Sequence, residues 1–157
     1  MQKITTFIGY DNQAEEAVNL YTSIFKNSKI ISTSYYGEAG PAPAGTFMSA
    51  IFELEGQTFY ALNGGPMFTF SYGISLFVNC TTQDEIDDYW EKLSAGGEKG
   101  QCGWLKDKFG VSWQIVPQAL GEMLGDKDAE KSNRVMQAMC KMHKLEIQAL
   151  KNAYDGV

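Results

Sequence analysis

Gly100-Gln-Cys-Gly-Trp-Leu-Lys-Asp-Lys-Phe-Gly-Val-Ser-Trp-Gln-Ile-Val-Pro117 is the stretch whose reading decides the fold. Phe109-Gly110 stands between Trp104-Leu105 and the run Val111 to Val116. Lys106, Asp107 and Lys108 supply a polar turn, so the spacing predicts two short strands folded back as a hairpin. The second strand alternates, with Val111, Trp113 and Ile115 on one face and Ser112, Gln114 and Val116 on the other. Gln114 is an amide in an otherwise apolar strand. It must find hydrogen bonds or water, so its face is predicted to border a cavity and not a dry core.

Outward from the hairpin, Tyr72 to Cys80 reads as a strand and Thr81-Thr82 as the start of a helix carrying Ile86, Tyr89, Trp90 and Leu93. Gly96-Gly97 ends that helix, and a strand within Glu98 to Gln101 leads into the hairpin. The same order occupies the first half. Ile4 to Tyr10 is a strand, and Asp11-Asn12 offers an N-cap to a helix over Ala14 to Lys26, where Ala14, Ala17, Val18, Tyr21, Ile24 and Phe25 recur at helical spacing. Ser28 to Tyr36 follows as a strand, Gly37 to Gly45 as a loop with Pro41 and Pro43, and Thr46 to Leu54 with Gln57 to Asn63 as a hairpin about Glu55-Gly56. The chain therefore reads as two copies of β-α-β-β-β, an α+β fold. Residues 3–64 make the first module and 71–118 the second, within one domain over 1–157. Beyond them, Lys131 to Tyr154 reads as one further helix, appended over 128–155. Its stripe of Met136, Cys140, His143, Ile147, Leu150 and Tyr154 calls for a partner surface.

Composition narrows the class. The 157 residues are 44% hydrophobic and 13% aromatic, enough for a packed core. A net charge of −6 and the lack of a basic patch argue against nucleic acid as a partner. Met1-Gln2-Lys3-Ile4 runs straight into a strand pattern, and no apolar run approaches the ~20 residues of a membrane span. The expectation is a cytoplasmic protein without membrane partners. Three cysteines, Cys80, Cys102 and Cys140, lack CxxC spacing and read as free thiols.

Two β-α-β-β-β modules resemble the vicinal-oxygen-chelate superfamily of glyoxalases, bleomycin-resistance proteins and extradiol dioxygenases. Asp-Asn-Gln-Ala-Glu-Glu-Ala at 11–17, Leu-Tyr at 20–21, Ala-Leu-Asn-Gly-Gly-Pro at 61–66 and Tyr-Trp-Glu-Lys-Leu at 89–93 look like its PhnB-like branch, whose members often carry a 3-demethylubiquinone-9 3-methyltransferase label. The resemblance implies a curved mixed sheet with a concave cleft, and a homodimer. One such scaffold hosts isomerases, dioxygenases, lyases and passive drug-binding proteins.

Metal enzymes of that superfamily place His and Glu ligands on the first and last strands of each half. The matching positions here are Thr6 or Phe7, a residue near Tyr60, Gly73 or Ile74, and Gln114, none of them His, Asp or Glu. The only histidine, His143, belongs to the appended helix. Glu53 is a lone strand carboxylate, so no bound metal and no cofactor are expected. S-adenosylmethionine sites usually use a Gly-rich strand-to-helix turn, and Gly64-Gly65 precedes Pro66 and Met67 instead. Cys102, between Gly100 and Gly103, is the one nucleophile candidate, without a His or Lys placed to activate it. Aromatic walls with isolated polar groups suit a small, partly apolar ligand, for which Thr6, Tyr60, Asn63, Trp104, Ser112 and Gln114 are the expected contacts. A binding protein is the leading expectation. A lyase, isomerase or dioxygenase, or an interaction protein using the Met-rich final helix, are the alternatives.

Overall fold

The computed structural model describes residues 2–157, and in it the alternation read around Gln114 holds only in part, because Ser112 and Val116 on the Gln114 face are buried as well. Trp113 is 2% exposed, Ile115 is fully buried, and Gln114 between them is half-buried. Met1, where the expected domain begins, lies outside the described residues. The chain divides into two compact units, Met1–Thr69 and Phe70–Val157, the second of which also holds the C-terminal segment.

In the first unit, β1 (Thr6–Tyr10), α1 (Ala14–Ile24), β2 (Ser28–Tyr35), β3 (Phe47–Leu54) and β4 (Gln57–Asn63) follow in the expected order. They form a four-stranded sheet in the order β1-β4-β3-β2, with β1 parallel to β4 and the other pairs antiparallel. The helical spacing of Ala14, Ala17, Val18, Tyr21 and Ile24 buries one stripe of α1. Ile8, Tyr10, Ala50, Phe52, Leu54, Phe59 and Ala61 are the buried residues of the sheet, each large one stabilising the fold by roughly 1.5–3 kcal/mol. Phe52 and Phe59 stack with centroids 5.4 Å apart. The β3–β4 turn puts Glu55 at φ 48° and Gly56 at φ 80°, the pair of positive values that a two-residue hairpin needs.

β5 (Leu76–Cys80), α2 (Gln83–Ser94), β6 (Glu98–Lys99), β7 (Trp104–Lys106) and β8 (Ser112–Pro117) repeat the scheme in the second unit. The sheet order is β5-β8-β7-β6, again with the first strand parallel to the last. Neither sheet closes into a barrel. Thr82 and Glu85 form a reciprocal capping box at the start of α2, and Ile86, Trp90 and Leu93 are buried.

Four expectations are corrected by packing. β1 and β5 start at Thr6 and Leu76, later than Ile4 and Tyr72; ahead of β1 the Gln2 side chain donates to the Thr58 carbonyl and accepts the Thr58 N–H, so that stretch of β4 is bonded to a side chain. Asp11-Asn12 does not cap α1: Asn63 Oδ1, at the end of β4, accepts the Ala14 N–H at 2.7 Å. The turn after β7 is polar in composition but not solvated. Asp107 is 2% exposed and accepts from Phe109 N, Val111 N and Trp113 Nε1 at 2.9, 3.0 and 2.9 Å.

The fourth concerns the C-terminal segment, which is not one helix over 131–154. It forms α3 (Gln118–Leu124), α4 (Ala129–Met139) and α5 (Ile147–Asp155). The break at 140–146 has no Gly or Pro to announce it and is held from outside. Cys102 and Gly103 donate their N–H groups to Met142 and His143 carbonyls at 2.8 Å. Gln83 donates to the Leu145 carbonyl and accepts the Ile147 N–H. The partner surface is largely internal: Val116, Leu120, Met123, Val135, Leu145 and Leu150 make one buried cluster, with Met139, Met142 and Tyr154 packed on it. Of the expected stripe, Met136, Cys140 and His143 stay exposed, and only Leu150 and Tyr154 join this cluster.

Candidate ligand-binding site

Each sheet packs one face on its helix, and the opposite face carries exposed rings, although in the second unit Ser112 and Val116 on that face are buried, Val116 in the cluster of the C-terminal helices. In the first unit Phe7 is 56% exposed and meets Tyr60 edge to face, ring centroids 6.1 Å apart, because the two are register partners of β1 and β4. Thr6 is paired with Phe59 and shares the helix-packed face of Ile8 and Tyr10. Phe68 lies over the two glycines at this end of the sheet. A Cβ on Gly9 or Gly64 would stand 2.7 or 2.3 Å from its ring, so both positions need glycine while the ring stays there.

In the second unit the sheet brings Trp104, Ser112 and Gln114 together. Gln114 is the register partner of Trp104 on β7 and of Phe77 on β5, and Phe77 is 52% exposed. The Gln114 amide donates to the Ser75 hydroxyl at 2.9 Å, which orients it beside both rings. Lys106 is the partner of Ser112. Its ammonium lies 4.9 Å from the Tyr72 ring centroid and 3.6 Å from Glu98, and Tyr72, then Glu98, hold its pKa above the usual lysine range. Ser112 is buried and its hydroxyl has no protein partner, a cost of about 1–3 kcal/mol that a bound polar group would remove.

A cavity of about 570 Å³ opens within the first unit, a volume in the range of small-molecule sites. Tyr36, Phe47, Pro41 and Pro43 give it apolar walls, and Asp11, Glu15 and Asn63 give it polar ones. Local folding explains the shape. The Tyr36 hydroxyl donates to the Asn63 carbonyl, Gly45 and Thr46 close the β2–β3 loop by backbone bonds to Tyr36 and Pro43, and Gly64 N–H donates to the Tyr10 carbonyl. Of the residues expected from sequence to touch ligand, Asn63 is in this wall, holding α1 with one amide atom. Asp11, Glu15, Tyr36 and Phe47 were missed. The signal was there in Pro41 and Pro43, which stiffen a loop long enough to make a wall, and in two carboxylates four residues apart at a helix start.

Cys102 is half-buried at φ 56°, and burial, then the neighbouring Cys140 thiol, pushes its pKa up, which keeps it a thiol and not a nucleophilic thiolate. Cys80 is buried and pushed up to about 12 by that burial. His143 is exposed and its Nδ1 lies 2.7 Å from the Gly100 carbonyl.

Residues 2–116 match the model of the family described as 3-demethylubiquinone-9 3-methyltransferase. A PhnB protein of Bacillus cereus that carries the same methyltransferase description is 43% identical to this chain, over 74% of this chain and 99% of that one, with a TM-score of 0.69. This chain belongs to that family. Its PhnB-like fold is that of the vicinal-oxygen-chelate superfamily. Protein PA1353 of Pseudomonas aeruginosa shares the fold at 19% identity, 74% and 98% coverage and a TM-score of 0.62. So does the fosfomycin resistance protein FosX of Listeria monocytogenes, solved with Mn(II) and sulfate, at 17% identity, 72% and 90% coverage and a TM-score of 0.52. No curated protein matches the chain significantly.

Among the described residues no three His, Cys, Asp or Glu come together as a ligand group. On the open sheet faces Gln114 is engaged by Ser75, and Glu53 is paired with Lys29 at 3.0 Å. No described helix is long and apolar enough to cross a membrane.

Proposed function

We propose that this PhnB-like protein binds a small, partly apolar molecule and holds it without needing a metal. The observation that carries the reading is the 570 Å³ cavity of the first unit, with aromatic and proline walls. Asp11 and Glu15 on its rim have no ion-pair partner among the described residues, so a ligand with a cationic or hydrogen-bond-donating end is favoured over an anion. The acidic first turn of α1, Glu15 and Glu16, works the same way, because it cancels the attraction a helix start has for phosphate. Tyr60, Trp104, Ser112 and Gln114 on the open sheet faces are proposed as further contacts, and Thr6 and Asn63 as residues that support them. A cytoplasmic homodimer is part of the reading, supported by free thiols and by exposed Met67, Phe77 and Met136. Sedimentation at micromolar concentration should show twice the 17.4 kDa chain mass, and a species at the chain mass alone would remove the dimer.

The second reading is an enzyme, favoured by the methyltransferase description of the family model. Against it, both strand-to-helix turns, Asp11 to Gln13 and Thr81-Thr82, lack glycine. Native mass spectrometry on protein taken directly from cells separates the two. A retained organic mass that is released unchanged after incubation supports binding. Conversion of that compound, or of added S-adenosylmethionine, supports the enzyme.

A further inference from the structure

We propose that Cys102 and Cys140 are a modification site: a thiol pair that closes to a disulfide when the protein meets a hydroperoxide, locking the Gly100–Gly103 loop onto the break between α4 and α5.

The loop is already seated there. Cys102 N–H and Gly103 N–H donate to the Met142 and His143 carbonyls, each at 2.8 Å, and the His143 ring lies against the Gly100 carbonyl at 2.7 Å. These bonds bring Cys102 over the turn that begins at Cys140, the C-cap of α4, and the Cys140 thiol is close enough to raise the Cys102 pKa. Both sulfurs are free, Cys140 exposed and Cys102 half-buried behind it.

The backbone adds an independent observation. Cys102 and Gly103 have φ 56° and 83° and are closed by Trp104 N–H to the Gln101 carbonyl at 3.0 Å. Both central residues of that turn are therefore left-handed, a place where Gly, Asn and Asp are favoured and cysteine is not. A cysteine is held here against its conformational preference, facing a second cysteine. Local folding alone does not call for it.

The chemistry balances with one peroxide. The exposed Cys140, as thiolate, attacks the outer peroxide oxygen. A sulfur–oxygen bond forms, the oxygen–oxygen bond breaks, and the leaving alkoxide takes a proton to become an alcohol. The Cys102 thiol, high in pKa while reduced, then attacks the sulfenic sulfur of Cys140 as its proton passes to the departing oxygen. The disulfide forms, and hydroxide departs with the Cys102 proton as water. Two thiols are oxidised by two electrons, and the peroxide is reduced by two.

The test uses the full-length protein with hydrogen peroxide at a few equivalents. The monomer mass should fall by two hydrogens, and titratable thiols in denatured protein should fall from the three of the reduced chain to one, Cys80. Proteolysis should yield a 102–140 linked peptide that disappears with dithiothreitol. Cys140→Ser and Cys102→Ser should each abolish the loss of two hydrogens, and Cys80→Ser should leave it intact. Oxygen addition at Cys140 with Cys102 still free would overturn the proposal, as would a disulfide through Cys80 or between chains.

Discussion

At the scale of single residues, the strand of Trp113 and Gln114 shows two opposite demands one position apart. Trp113 is packed on the helix side and its indole N–H is held by buried Asp107, so Trp113→Ala should cost about 3–5 kcal/mol in urea denaturation. Gln114→Glu should melt close to wild type, because the Ser75 hydroxyl that now accepts from the amide can turn and donate to a carboxylate. A collapsed Gln114→Glu beside an intact Trp113→Ala would invert the assigned faces. Ser112 makes a different prediction. Its buried hydroxyl has no protein partner, so Ser112→Ala should leave the unliganded protein within about 1 kcal/mol of wild type or more stable, while weakening any ligand that reaches it. A melt showing a large loss would mean that the hydroxyl is paired. The alternation that put Gln114 on the open face was legible in the sequence, because β-strand period is a property of neighbours along the chain. Asp107 was not. Its burial depends on Trp113 bending back over the turn, a tertiary contact that no local pattern of charge announces.

The elements repeat that lesson at longer range. Apart from the polar two-residue β6, the strands and helices of the two modules are legible from apolar periodicity, capping residues and turn glycines, but their ends are set by partners elsewhere. Asn63 caps α1 from a strand 49 positions away in sequence, so Asn63→Ala should lose about 1–2 kcal/mol although no residue of the helix is touched. Equal stability by urea denaturation would make that bond incidental. The C-terminal helices were misread as one because the bonds that break them come from Gln83, Cys102 and Gly103.

Their attachment should depend on pH through Tyr154 and Asp126. The Tyr154 hydroxyl holds the Asp126 carboxyl below its ordinary 3.8, and Asp126 holds Tyr154 above its ordinary 10.0. The depressed carboxyl contributes stability at neutral pH that is lost as pH falls through its folded value. The raised phenol contributes stability below 10.0 that is lost as pH rises through its folded value. Denaturation midpoints of wild type and Tyr154→Phe should therefore differ by a constant amount between about pH 5 and pH 9 and converge at both extremes. A difference independent of pH throughout would mean that the hydroxyl–carboxylate bond contributes nothing.

For the whole molecule, two copies of one β-α-β-β-β plan supply the scaffold, and the proposed function rests on the side chains at the sheet faces and around the β2–β3 loop. Here those side chains are aromatic rings, an oriented amide, an unpartnered hydroxyl and two carboxylates at a cavity mouth. On the proposed reading they serve reversible recognition of a small molecule. The measurement that tests this most directly is an amide NMR titration of the isotope-labelled protein with a panel of aromatic amines and their neutral amide counterparts. At least one amine should give saturable shifts centred on Asp11, Glu15, Tyr36, Phe47 and Gly64, and the paired variants Asp11→Asn and Glu15→Gln should weaken it about tenfold, the factor that 1.4 kcal/mol produces. Saturable binding that leaves those amides unmoved, or is indifferent to both carboxylates, would contradict the cavity as the ligand site.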